Sequence, residues 1–173
     1  MVSGFDEDSV VASDTQTLVA KLADLKARTV GLRVEGPALI LGCDSLLDVD
    51  GESLGKPASD ADAIARWRRL RGRVGQLWTG HCLIDTASDR TLTRAAVTTV
   101  RFADVSDAEI ELYVSTGEAS AVAGAFTVDA LGGWFVEAVD GDHHNVVGLS
   151  LPLLRRMLLE LGYQLTDVGY PAR

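Results

Sequence analysis

Residues 38–41, Ala-Leu-Ile-Leu, set four aliphatic side chains in succession directly ahead of Gly42, Cys43 and Asp44. A strand with one wet face alternates, whereas an unbroken apolar run of this length reads as a strand buried on both faces, as in the interior of a parallel sheet. Such a strand has to be covered by helices, which restricts the chain to an α/β architecture. It also delivers one carboxylate, Asp44, to its C-terminal end. A length of 173 residues with 47% hydrophobic content supports a core sufficient for one domain, residues 1–173.

Helical and strand patterns follow one another around this run. Residues 13–31 carry Leu18, Leu22 and Leu25 on one helical face, with Ser13 and Gln16 spaced as a capping box and Gly31 as the stop. Asp50-Gly51 between short runs is the signal of a type I′ hairpin turn. Ser59 or Asp60 begins a second helix that closes at Gly72. Its arginines fall around the outside while Ile64, Trp67 and Leu70 take the inner face, so this basic run reads as a solvated face, with Arg73 placed near an anion. Strands are expected over 76–85 and 90–102, joined by a polar link. Ser106 and Glu109 open a helix that ends at Gly117, a strand covers 134–139 before a turn at Asp140-Gly141, and a last helix runs from Pro152 to about Gly162.

A net charge of −9 and an isoelectric point of about 4.7 repel polyanions over most of the surface, which argues against a general nucleic-acid binder. No apolar run approaches the length of a membrane span, and residues 1–14 lack the basic and apolar regions of an export signal, so a cytoplasmic protein without membrane partners is expected. Cys43 and Cys82 show no metal-ligand spacing and read as buried, reduced thiols. A small anionic ligand stays open, because its binding depends on local charge. The chain has only three lysines, Lys21, Lys26 and Lys56.

Lys56 stands in "GESLGKP", which has one residue too few between its glycines for a P-loop and places Pro57 where the magnesium-binding hydroxyl belongs. The same stretch fails as a calcium loop, since Leu46 and Pro57 occupy its first and last ligand positions. Asp140, Asp142, His143 and His144 lack the helical spacing of a zinc site, and no nucleophile elbow occurs. What survives is Asp44, able to hold a divalent cation or accept a proton from water, and Lys56, able to neutralise a phosphate. A solvated acid at a strand end with a surface lysine is the competing reading, and spacing alone leaves both standing.

Six segments, "GCDSLL", "LGKP", "WTGHCLI", "SDAEIELYVSTGE", "AGAFTVDALGGWFV" and "GDHHNVVGLSLPLL", occur in the order and spacing of the Maf family. The sequence resembles Maf-like nucleoside triphosphate pyrophosphatases over nearly its whole length. That resemblance implies an α/β fold of the Maf/inosine-triphosphatase type, a mixed sheet flanked by helices, often as a homodimer. It also implies cleavage of a nucleoside triphosphate, pyrimidine or modified, to the monophosphate and pyrophosphate with Mg²⁺ or Mn²⁺, in a house-cleaning role. Carried over by the motifs, Asp44 is the proton acceptor and a metal ligand, Glu7 a second metal ligand, and Lys26 and Lys56 the phosphate-binding cations. Ser45, where threonine is usual, and Asp129, where glutamine is common, fall at positions linked to specificity. The family's opening strand, loop and helix start, with its "SxSPRR"-like turn, has no counterpart ahead of Glu7. The alternative is therefore a catalytically impaired nucleotide-binding or regulatory module.

Overall fold

The structure, a computed structural model, describes residues 10–169. Helix α1 spans Thr15–Gly31 and is capped by Asp14, not by Ser13: the Asp14 carboxylate accepts from the Thr17 amide at 2.7 Å. The Ser13 hydroxyl is spent on Asp14 itself, at 2.7 Å. Of the expected leucines, Leu22 is buried while Leu18 and Leu25 are only half-buried, and the buried stripe of α1 runs through Thr15, Val19, Leu22, Ala23 and Ala27. Small side chains at 19, 23 and 27 let the helix lie low on the sheet.

Strand β1, Leu39–Val49, turns through Asp50 and Gly51 into β2, Glu52–Leu54. Both turn residues have positive φ, 56° and 82°, as the two-residue hairpin requires. Helix α2 covers Asp60–Leu70 behind an Ser59 cap. Strands β3, Val74–Asp85, and β4, Arg90–Phe102, form a long hairpin. Helix α3, Asp107–Ser115, starts at the expected Ser106/Glu109 capping box. Strand β5 is Val136–Asp140, with Trp134 and Phe135 in the preceding 3₁₀ turn instead of in the strand. A short helix α4, His143–Val147, precedes α5, Leu151–Leu161.

The sheet order is β2-β1-β3-β4-β5, and each of these pairings is antiparallel. The expectation of a parallel interior strand over 38–44 is thereby corrected. β1 pairs with β3 from Leu39 to Asp48, but the short β2 covers only Leu47–Val49 of its other edge. Among the described residues no strand lies against that edge at Leu39–Leu46, so the aliphatic run is not closed in on all sides and Leu41 is 36% exposed. Asp44 sits in mid-strand, not at the strand's C-terminal end.

Helix α1 lies on one face of the sheet, over Ile40 and Cys82. The other face carries two clusters. One joins Leu47, Leu77 and Val100 to α2 and α3 through Trp67, Ile110 and Tyr113, and the second joins Leu83 to α5 through Leu153, Met157 and Leu161. Trp67 is the centre of the larger one. Its ring meets Phe102, Tyr113 and Phe135 edge-on at 5.7, 5.5 and 5.6 Å, and its Nε1 donates to the Ala125 carbonyl at 2.7 Å. Residues directly opposed in a ladder share a face, so the Gly42/Cys82 and Cys43/His81 pairs put the two free thiols on opposite sides of the sheet. No helix among the described residues is long and apolar enough to cross a membrane.

Candidate active site

The site begins with two glycines. A Cβ at Gly80 would lie 2.0 Å from the Val19 carbonyl oxygen, and one at Gly42 would lie 2.4 Å from that of Ala23. Both are below any tolerable contact, so only glycine lets the α1 backbone approach the sheet this closely. Asp44 is the register partner of Gly80 and therefore lies on the face that α1 covers. Lys26, on the same helix, reaches it there, and the Lys26 ammonium and Asp44 carboxylate form an ion pair whose side chains are 21% and 8% exposed. Low dielectric around such a pair strengthens the attraction between its two charges and so fixes the Asp44 carboxylate in place.

Lys56 arrives from the other side, on the link between β2 and α2. The preceding Gly55 carbonyl accepts from the Gly124 amide at 3.0 Å and from Arg66 Nη1 at 2.7 Å, so the link is pinned between α2 and the segment around Gly124. Pro57 is buried and Lys56 is exposed. Nearby, the Thr15 hydroxyl meets Asp48 and Ser53, the latter at 2.6 Å, and ties the start of α1 to the β1–β2 hairpin.

Lys26, Asp44, Ser45, Lys56 and Asp129 line one cleft of about 970 Å³, with Phe126 among its apolar residues. That volume is at the upper end for small-molecule sites and accommodates a nucleotide. Five residues singled out from the sequence thus share one cavity; Glu7 lies outside the described residues. Arg73, expected near an anion, pairs with the Asp50 carboxylate at 2.6 Å. Burial, with the Asp44 charge adding to it, pushes the Cys43 thiol up to about 11, so Cys43 lines the cleft as a neutral group and not as a nucleophile.

Ser45 has a fixed polarity. The buried Thr79 hydroxyl donates to the Asn145 carbonyl at 2.9 Å, which consumes its only proton. The 2.8 Å contact between Ser45 and Thr79 therefore uses the Ser45 proton, and Ser45 turns lone pairs alone toward a ligand. Asn145 is held in turn by its amide, which donates to the Leu77 carbonyl at 3.1 Å and to Thr98 at 3.2 Å. His81, fully buried, accepts the Ser150 amide on Nε2 at 2.9 Å and donates from Nδ1 to the Thr79 carbonyl at 3.0 Å. These bonds seat α4 against β3, and with it Val146, Val147 and Gly148 of the cleft wall. Neither this relay nor the two approach glycines was identified from the sequence. Glycines inside strand patterns are the available signal for the latter.

Among the described residues no three His, Cys, Asp or Glu side chains converge as a metal cage. Asp44 is one oxygen donor paired with Lys26 in a cleft that Lys56 also lines, a set that fits a hard cation held mainly by phosphate oxygens and water, the usual manner of magnesium. It does not fit a site built from protein ligands alone.

The family model described as Maf-like protein matches residues 1–161. A nucleoside triphosphate pyrophosphatase of Streptomyces coelicolor is 51% identical over 173 residues, a match covering 99% of this chain and 84% of the relative. One of Microcystis aeruginosa is 51% identical over 166 residues, covering 96% and 85%, and one of Salinispora tropica is 54% identical over 173 residues, covering 97% and 76%. With a cleft, an acid and two lysines arranged in this way on an α/β fold, the chain belongs to the Maf family.

Proposed function

We propose that this chain is a nucleoside triphosphate pyrophosphatase, a hydrolase of the bond between the α- and β-phosphates. The observation that carries the reading is the Lys26–Asp44 pair held on the wall of a nucleotide-sized cleft that Lys56 also lines. The names of the relatives support it independently.

Asp44 accepts a proton from water as the water oxygen attacks the α-phosphorus. The bond between the α-phosphorus and the bridging oxygen breaks, pyrophosphate leaves with that oxygen, and the nucleoside monophosphate keeps the water oxygen. Lys26 orients the Asp44 carboxylate before the nucleotide arrives, and Lys56 meets the charge of the β- and γ-phosphates on the departing side. Phosphoryl transfer asks for positioning and charge compensation more than for covalent chemistry, which suits a site whose one thiol is neutral. Asp44, with Glu7, would hold Mg²⁺ or Mn²⁺, which when bound would neutralise phosphate charge and lower the pKa of bound water. Ser45 and Asp129 meet the base or sugar through acceptor atoms, which favours nucleotides presenting donors there; pyrimidine and modified triphosphates are the first to try. A single domain acting in the cytoplasm, as a house-cleaning enzyme and as a homodimer, accompanies this reading by family likeness.

The test is pyrophosphate release from a panel of nucleoside triphosphates, with and without Mg²⁺ or Mn²⁺, beside Asp44→Asn. Metal-dependent release that falls at least a hundredfold in a folded Asp44→Asn is expected. Nucleotide binding without release would instead favour the impaired, regulatory module.

A further inference from the structure

Glu118 lies just beyond α3, and its carboxylate gathers four donors. The Tyr113 hydroxyl at 3.0 Å, the Thr127 hydroxyl at 2.7 Å and the Gly132 amide at 2.8 Å reach one oxygen, and the Leu131 amide at 3.0 Å reaches the other. Three of these donors bracket a strap of chain from Thr127 to Gly132. The strap is folded tightly on itself: a Cβ at Gly132 would stand 2.8 Å from both the amide nitrogen and the carbonyl oxygen of Thr127. Its outward side is cleft wall, since Thr127, Val128 and Asp129 all line the cavity. Glu118 is absent from that lining and stands behind the wall.

The carboxylate is suited to the task. Burial alone would push it up, but the bonds from Thr127, the two amides and Tyr113 outweigh burial and hold it below the ordinary glutamate range, so it is charged at neutral pH. Tyr113 is itself buried, and burial, then its hydrogen bond to Glu118 and the Glu118 charge, push its phenol well above the usual value, leaving it a firm donor.

We propose that Glu118 is a positioning residue for nucleotide binding: its carboxylate ties both ends of the Thr127–Gly132 strap and so fixes where Asp129 meets the ligand. This rests on the cleft being the nucleoside triphosphate site. Glu118 contacts no reacting atom in this scheme. Its loss therefore weakens binding while leaving the chemistry at Asp44 intact, a division that a general loss of structure would not produce.

Glu118→Gln keeps the shape but has one acceptor oxygen, so its amide nitrogen must face one of the strap's donors. The expected result is a KM raised about tenfold, the size of one lost charge-assisted hydrogen bond, with kcat within about twofold. The dissociation constant of a non-hydrolysable α,β-methylene triphosphate should weaken by the same factor. Tyr113→Phe removes one bond to Glu118 without altering the cleft lining and should weaken binding about threefold; it keeps the test alive if Glu118→Gln fails to fold. Wild-type KM and analogue affinity in folded variants would overturn the role of Glu118 while sparing the nucleotide reading. An analogue that does not bind the wild-type chain at all would overturn that reading and this proposal together.

Discussion

Replacing Gly80 by alanine tests whether the approach of α1 to the sheet builds the site. An alanine Cβ would stand 2.0 Å from the Val19 carbonyl oxygen, 2.3 Å from its carbon and 2.8 Å from the Ala20 nitrogen. Ordinary contact begins near 3.4 Å, so α1 has to withdraw by about 1.4 Å, the difference 3.4 − 2.0. All three obstructing atoms are backbone, so no side-chain rotation relieves the clash. Removing a glycine from the unfolded chain would by itself stabilise by about 0.4–1 kcal/mol. Overpacking costs about 1–3 kcal/mol and dominates. For a chain of this size the net loss lowers Tm by several degrees, roughly 2–4 °C per kcal/mol. The larger effect is on the site, because Lys26 rides on the helix that moves while Asp44 stays with the sheet. A displacement near 1 Å in a positioning group can reduce turnover on the order of a hundredfold. Thermal melting together with pyrophosphate release separates the two effects, and Gly42→Ala, blocked by the Ala23 carbonyl at 2.4 Å, should behave alike. A Gly80→Ala protein with native Tm and native turnover would refute the reasoning.

Three further outcomes are expected. Burial lowers the His81 pKa below 6.5, against the opposing influence of the Thr79 carbonyl and Asp142, so the unfolded chain takes up the proton first as pH falls. The His81 contribution is therefore complete above about pH 6.5 and is lost below it; urea midpoints should decline from pH 7 to 5.5, and His81→Gln should flatten that decline. Trp67→Phe leaves the buried Ala125 carbonyl without its donor and should cost about 1–3 kcal/mol in denaturant titrations, whereas an unchanged midpoint would mean the 2.7 Å bond contributes nothing. Gly51→Ala places a Cβ on a residue with φ 82° and should destabilise the β1–β2 hairpin by about 1 kcal/mol while leaving catalytic constants near native, since nothing stands within 4 Å of that position.

Local chemistry was legible in the sequence at several places where its partners lie within a few residues, although the α1 cap falls on Asp14 and not on Ser13. The Asp50-Gly51 turn, the Ser59 cap and the Ser106/Glu109 box are satisfied by neighbouring backbone, so spacing identifies them. The direction of β1's neighbours is different, because an aliphatic run says nothing about which distant segment pairs with it, and here that segment is 76–85. The site divides in the same way. Motif likeness singled out Asp44, Lys26 and Lys56, but the meeting of Lys26 with Asp44 depends on Gly42 and Gly80 admitting a helix formed earlier in the chain. Glu118 closes the segment "SDAEIELYVSTGE", but its role gave no local signal, since its strap partners lie 9 to 14 residues onward across a loop without regular pattern. The Ser45–Thr79–Asn145 relay spans three elements and emerges only when the sheet is assembled.

If Asp44 directs water onto the α-phosphorus, the water oxygen must end up on the nucleoside monophosphate. Hydrolysis of a nucleoside triphosphate in ¹⁸O-labelled water, with products separated and weighed by mass spectrometry, should place the label in the nucleoside monophosphate, leave pyrophosphate unlabelled, and lose the reaction in Asp44→Asn. Label in pyrophosphate, or release of a diphosphate with inorganic phosphate, would contradict the account.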